Sequence, residues 1–160
     1  MEGMQVRKAT RDDLNGIGHV ADAVHWLGYQ DLLNPVTISS LIRRDYGPST
    51  LKRRLLGGRL LVAENAGRVV GFADAELEGG AIHLLTIAAD PPGESEGVGD
   101  ALLSAVRAEA PDLPVCADVL LGHLESEHFY EDQGFVPGET FLDVVFAEQV
   151  VERRWWLAPV

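Results

Sequence analysis

A single cysteine, Cys116, stands among the 160 residues, so no internal disulfide can staple the chain. It sits in an apolar, strand-like run and reads as a buried structural thiol rather than a nucleophile. No apolar run approaches membrane-spanning length. The opening MEGMQVRKATRDD holds no apolar signal core, so a cytoplasmic protein with no membrane partner is expected. Positive charge is scarce: 13 Lys and Arg stand against 25 Asp and Glu, a formal net charge of −12. That balance argues against nucleic acid as the main partner, because phosphate contacts need clustered cations. It suits a cationic substrate drawn in by the protein's field, although acids that merely solvate the surface would give the same balance. The basic residues cluster mainly at Arg43 and Arg44, at residues 52–54, and at Arg153 and Arg154. The first two groups fall on predicted helices and are expected to be solvated faces. No metal site emerges, since the five His are scattered and His123 and His128 lie five apart. Nucleophile-elbow and P-loop lysine motifs are missing too.

What is present centres on residues 82–106, IHLLTIAADPPGESEGVGDALLSAV. Ile82, Leu84, Leu85, Thr86 and Ile87 make a buried-strand pattern, which Asp90, Pro91, Pro92 and Gly93 break. From Val98 the period changes: Val98, Ala101, Leu102, Ala105 and Val106 form one helix face. A strand thus feeds a glycine-containing loop that opens a helix, a place where free amides favour a phosphate.

Around this stretch the chain alternates simply. Residues 5–9 read as a strand. Thr10 with Asp12 and Asp13 reads as a helix start, with Leu14, Ile17, Ala21 and Val24 on one face. Asn34–Pro35 is a break, and Thr37 or Ser39 is a cap for a second helix that Gly47–Pro48 interrupts and Gly57–Gly58 ends. Residues 59–64, 68–78 and 81–89 form a β-meander joined by tight turns. After the central helix, residues 113–121 read as a strand and 123–133 as a short helix stopped by Gly134. Strand signal resumes at Phe135, turns at Pro137–Gly138, continues over 140–147 and closes over 149–157. With no repeat or linker, 1–160 reads as one domain. The order β–α–α–β–β–β–α–β–α–β–β predicts an α+β fold: a single mixed, mostly antiparallel, twisted sheet flanked by helices.

At this point the chain resembles the GNAT superfamily of N-acetyltransferases. The element order carries the resemblance, as does the strand–loop–helix, which is similar to the family's R/Q-x-x-G-x-G/A motif. So does HLESEHFYEDQGFV over 123–136, similar to N-x-x-A-x-x-F-Y-x-x-x-G-F. Phe129, Tyr130, Gly134 and Phe135 match directly, Ser126 stands for the small residue, and His123 replaces the Asn. Glu94 stands where the family has Arg or Gln, with Glu96 as a second acid. Carboxylates repel a pyrophosphate unless they point into solvent while amides bind it.

The resemblance implies a GNAT-like acyl-CoA N-acyltransferase fold and acetyl-CoA as cosubstrate. The cofactor arm would pair with Ile87, Ala88 and Ala89, and the phosphates would meet Glu94, Ser95, Glu96, Gly97, Val98 and Gly99, with His123 nearby. Tyr130 takes the general-acid position, and its purely structural reading is a ring packed behind Phe129. His83 is the expected general base, with a core histidine as the alternative. Glu76, Glu78 and Asp118 are further base candidates, although Asp74, Glu76 and Glu78 share a face and read as the wet side of a strand. His25, Trp26, Tyr29 and Glu76 mark the acceptor pocket, which suits a small-molecule or peptide amine. A non-catalytic binding module with a weakened loop is the competing reading. Of Trp155 and Trp156, one is expected in the core and the other as an oligomer contact, hence a homodimer.

Overall fold

The computed structural model describes residues 3–90 and 97–160. The described residues build one seven-stranded sheet with helices on both faces. The strands are β1 (Met4–Lys8), β2 (Leu60–Asn65), β3 (Arg68–Glu78), β4 (Ala81–Ala89), β5 (Val115–Leu120), β6 (Val136–Val145) and β7 (Glu148–Leu157). Their spatial order is β1-β2-β3-β4-β5-β7-β6. Every neighbouring pair is antiparallel except β4 and β5. The helices are α1 (Leu14–Tyr29), α2 (Pro35–Tyr46), α3 (Pro48–Leu56), α4 (Val98–Glu109) and α5 (Leu124–Asp132). This is the predicted α+β architecture. Among the described residues, no helix is long and apolar enough to cross a membrane.

The helix starts follow local chemistry. The Thr10 amide donates to Asp13 Oδ2 at 2.7 Å and closes a 3₁₀ turn ahead of α1. Arg7 ties that turn to the sheet, donating to Asp13 at 2.7 Å and to Glu64 at 2.7 Å. The guanidinium holds the Asp13 carboxyl below the usual carboxylate range. The second helix begins at Pro35, earlier than the expected cap at Thr37 or Ser39. Proline suits the first helical position, where its missing N–H has no intrahelical partner to lose. Pro48 opens α3 in the same way.

One apolar layer forms between the sheet and α4 with α5: Val98, Leu102 and Val106 pack on Ala73, Ala75, Ile82, Leu84 and Val115. The opposite face receives Ile17, Val20 and Ala21 of α1 against Val62, Phe72 and Ala88. Trp155 is the core tryptophan and Trp156 is exposed. Gly71 lets α4 sit close, since a Cβ there would lie 2.7 Å from both the Ala88 carbonyl and Val98 Cγ1.

Three local expectations change. Pro137–Gly138 does not turn the chain but forms a bulge inside the single strand β6. Asp74 is buried rather than wet, because Arg54 of α3 reaches over β3 to pair with it. Arg54 is correspondingly not part of a solvated face. Glu76 and Glu78, beyond the cover of α3, do face water.

Candidate active site

The site arises where the sheet fails to close. β4 and β5 share a parallel ladder of only two register pairs, Ile82↔Val115 and His83↔Cys116. Beyond it the register of β4 on β3 shifts, from Ala75↔Leu84 to Asp74↔Thr86, leaving Leu85 as the extra residue of a bulge. The bulge switches the faces: Leu84 belongs to the α4-side core, whereas after it Ile87 and Ala89 do. The β5-facing edge of residues 85–89 therefore carries main-chain donors and acceptors with no strand beside them.

A cleft of about 280 Å³ occupies the opening. Residues 85–89 and Asp118, Val119 and Leu120 of β5 form its walls. Gly97, Gly99 and Asp100 at the start of α4 lie at one end, with Ser126, Phe129 and Tyr130 of α5 beside them. Val24, His25, Leu27, Gly28 and Tyr29 of α1 cover it from the other face, meeting His123.

Gly97 caps α4 in the left-handed region, φ 81°, and the amides of the first turn follow it. Gly99 must lack a side chain, since a Cβ would lie 2.7 Å from Phe129 Cε1. Asp100 accepts from Gln133 Nε2 at 2.6 Å, so its carboxylate is engaged with the end of α5. His123 caps α5 by accepting the Ser126 amide on Nδ1 at 3.2 Å. Its Nε2 edge reaches over Gly28, where a Cβ would lie only 2.5 Å away. The α1 and α5 ends thus touch across the cleft.

The side chains facing the cleft are unequally committed. Tyr130 is buried among Phe129 and Phe135 and makes no hydrogen bond among the described residues. Burial, then the neighbouring Tyr29, pushes its phenol well above the ordinary value, so it stays a proton donor. Tyr29 is pushed up to about 12 by burial, with Glu152 and Asp45 adding to it. Asp118 is taken up by Arg154, which grips it in two parallel bonds of 2.7 and 3.0 Å. Thr86, just past the bulge, shares a hydrogen bond with Tyr46 Oη. Outside the cleft lining, Glu152, two residues before Arg154 on β7, is pushed up to about 7 by burial and then by the neighbouring Asp143 carboxylate.

Of the residues expected from sequence, the structure brings Ile87, Ala88, Ala89, Gly97, Gly99, His123, His25, Tyr29, Asp118 and Tyr130 to this one cleft. Val98 is fully buried and points into the core. Glu94, Ser95 and Glu96 lie outside the described residues. His83 is half-buried at the closed end of the β4–β5 ladder, opposite Cys116 and Glu76, and does not line the cleft. Glu76 is exposed, and Trp26 packs toward Ile38 and Val150; neither lines it. Tyr46 and Thr86 had no signal in sequence, because they meet across 40 residues. Among the described residues, no group of three or more His, Cys, Asp or Glu is placed to hold a metal.

Comparison with known proteins comes to rest on the same region. A family model described as an acetyltransferase (GNAT) domain matches residues 57–137, half of the chain. No curated protein sequence matches. Among solved structures, the PaiA N-acetyltransferase from Thermoplasma acidophilum in complex with coenzyme A is similar at 18% identity and a TM-score of 0.76, over 94% of this chain and 97% of that one. A GCN5-related N-acetyltransferase from Rhodopseudomonas palustris gives 18% and 0.81, over 100% and 98%. A ribosomal-protein-alanine N-acetyltransferase from Brucella melitensis gives 22% and 0.69, over 96% and 99%.

Proposed function

Because the chain belongs to the GNAT family of acetyltransferases and uses acetyl-CoA as cosubstrate, we propose that it acetylates a primary amine, on a small cationic molecule or a peptide. The observation that carries the reading is the two-pair ladder between β4 and β5, which leaves residues 85–89 with an open main-chain edge facing Tyr130. An extended amide-bearing arm fits such an edge, because it can exchange hydrogen bonds as a strand would. Phosphates at the end of that arm fit the first-turn amides of α4, which begin at the left-handed Gly97. The bound cosubstrate supplies an acetyl group on a thioester, ready for attack by nitrogen.

The protein's part is then positioning and proton transfer. Tyr130 is a neutral phenol with no hydrogen-bond partner among the described residues and serves as donor to the leaving sulfur. Tyr29 forms part of the acceptor's enclosure beside the acidic side chains of β5 and β7. The long-range field of a chain at −12 favours a cationic acceptor. Residues 1–160 act as one catalytic domain in this reading, supported by structural neighbours that align over nearly the whole chain. A homodimer through the exposed Trp156 belongs to the same proposal, and light scattering tests it.

Calorimetric titration with acetyl-CoA, followed by CoA-release assays on a panel of amines, tests the function. Binding and release with at least one primary amine are expected. Absence of heat at millimolar acetyl-CoA would sink the proposal. Tyr130→Phe should lower kcat about 10²-fold or more while leaving acetyl-CoA affinity unchanged. Glu94→Arg reports whether the native acid opposes the phosphates, since a large gain in affinity is expected only if it does.

A further inference from the structure

Acetylation of an amine needs a base, and the cleft wall supplied by α1 carries one that the sequence placed only in the acceptor pocket. His25 lines the cleft, half-buried, one turn before the end of α1. Its Nδ1 lies 2.7 Å from the Ala21 carbonyl oxygen. A carbonyl can only accept, so Nδ1 carries the hydrogen and Nε2 is left with a lone pair. Nε2 has no hydrogen-bond partner among the described residues. The ring is held from two sides, by Tyr29 at 5.5 Å and Tyr46 at 4.9 Å between centroids. Tyr46 in turn bonds Thr86, the residue that follows the β4 bulge. The imidazole is thereby fixed beside the part of β4 where the open edge begins.

We propose that His25 is the general base of this enzyme, its Nε2 taking the proton from the acceptor's ammonium group. The inference rests on the acetyl-transfer reading above. As the nitrogen lone pair forms the bond to the acetyl carbonyl carbon, the carbon–sulfur bond breaks. Of the three protons on the acceptor nitrogen, one goes to His25 and on to solvent, and one stays on the amide. The third replaces the proton that Tyr130 gives to the departing sulfur.

The surroundings keep the imidazole ready. Burial pushes its affinity for a proton below the ordinary histidine value, against the Ala21 hydrogen bond and the charges of Asp45 and Asp22, with His123 acting in the same direction as burial. The titratable and charged groups facing it are thus Asp22 and Tyr29 from α1, Asp45 and Tyr46 from α2, and His123 ahead of α5. Arg54 of α3 stands behind Tyr46 at 5.7 Å from its ring. At pH 7 the side chain is neutral, which is the form a base requires. His83, by contrast, lies at the closed end of the ladder and outside the cleft.

The test pairs kinetics with a spectrum that needs no acceptor. The kcat/KM of the wild-type enzyme, assayed by CoA release with spermidine, an aminoglycoside and a peptide N-terminus, should fall on an acid limb below pH 6.5. His25→Gln should lower kcat/KM about 10²- to 10⁴-fold and remove that limb, with acetyl-CoA affinity unchanged. Added imidazole should restore part of the rate to His25→Ala. In the wild-type protein, ¹⁵N shifts of the His25 ring should report a neutral imidazole protonated on Nδ1 at pH 7. A limb that survives in His25→Gln, or that disappears in His83→Gln instead, overturns the assignment. So does a ring that is charged or protonated on Nε2 at pH 7, whether or not the variants fold. No transfer to any acceptor by wild type, despite acetyl-CoA binding, overturns the acetyl-transfer reading and the base with it.

Discussion

Removing Arg54 should unfold this protein more readily than removing the charge of its partner, and the size of the difference follows from burial. The Asp74 side chain is 4% exposed, whereas that of Arg54 is 21% exposed. In Arg54→Ala the carboxylate stays behind without a counter-ion in an apolar layer, at a cost of about 3–5 kcal/mol. For a chain of this length that corresponds to a fall in Tm of roughly 6–20 °C. In Asp74→Asn the shape is kept, and Arg54 can still reach water and Asp45, 3.9 Å away. That change should cost only about 1–2 kcal/mol. The double variant Arg54→Ala/Asp74→Asn should be more stable than Arg54→Ala alone, because the stranded charge is gone. The pH dependence gives an independent sign. An unpaired buried carboxylate takes up a proton more readily folded than unfolded, so lowering the pH from 7 to 5 should shrink the deficit of Arg54→Ala. Urea unfolding of the three variants at both pH values measures all of this. If Arg54→Ala costs no more than Asp74→Asn, or if its deficit grows in acid, Asp74 is not the buried partner that the argument requires.

Other expectations are as direct. Gly28→Ala drives a Cβ to within 2.5 Å of His123 Nε2, so α1 and α5 must part; acetyl-CoA affinity by calorimetry should fall more than thermal stability does. Gly71→Ala meets a backbone carbonyl and Val98 at 2.7 Å and should cost about 1–3 kcal/mol in urea. Glu152, held near 7 in the folded state against 4.5 as its ordinary value, binds its proton more tightly folded than unfolded. Stability from this group is therefore full below about pH 4.5 and is lost as pH rises toward 7. Glu152→Gln should abolish that slope and gain on the order of 1 kcal/mol at pH 8, after allowance for water around a half-buried group.

The parts legible in sequence were those written in short-range patterns. The apolar alternation of β2, β3 and β4, the change of period at Val98, and the FY-x-x-x-GF run each depend on residues within a few positions. They were enough to give the element order of a mixed sheet and to name ten of the residues that meet in one cleft. What escaped was pairing across distance. Asp74 read as wet because Glu76 and Glu78 follow it on the same face, and only α3 folding back with Arg54 makes it dry. Asp118 read as a free base candidate because Arg154 lies 36 residues away. The bulge at Leu85 has no local signature, yet it decides that His83 stays in the ladder while Thr86 meets Tyr46. His25 likewise shows its tautomer only once the Ala21 carbonyl is placed.

The two-pair ladder also bears on how the protein holds together. β1 to β4 form one antiparallel plate and β5 to β7 another, joined edge to edge among the described residues by the two pairs at Ile82 and His83. A ligand that hydrogen-bonds along the open edge of β4 and touches α5 is then a cross-link between plates, in addition to being a reactant. Its binding free energy adds to the resistance of the whole sheet to unfolding, growing as RT ln(1 + [L]/Kd). Amide exchange at residues 85–89 should slow on saturation even though those residues are already in a strand. In a cell that keeps its acyl donor abundant, the working stability of this protein is set in part by metabolic supply.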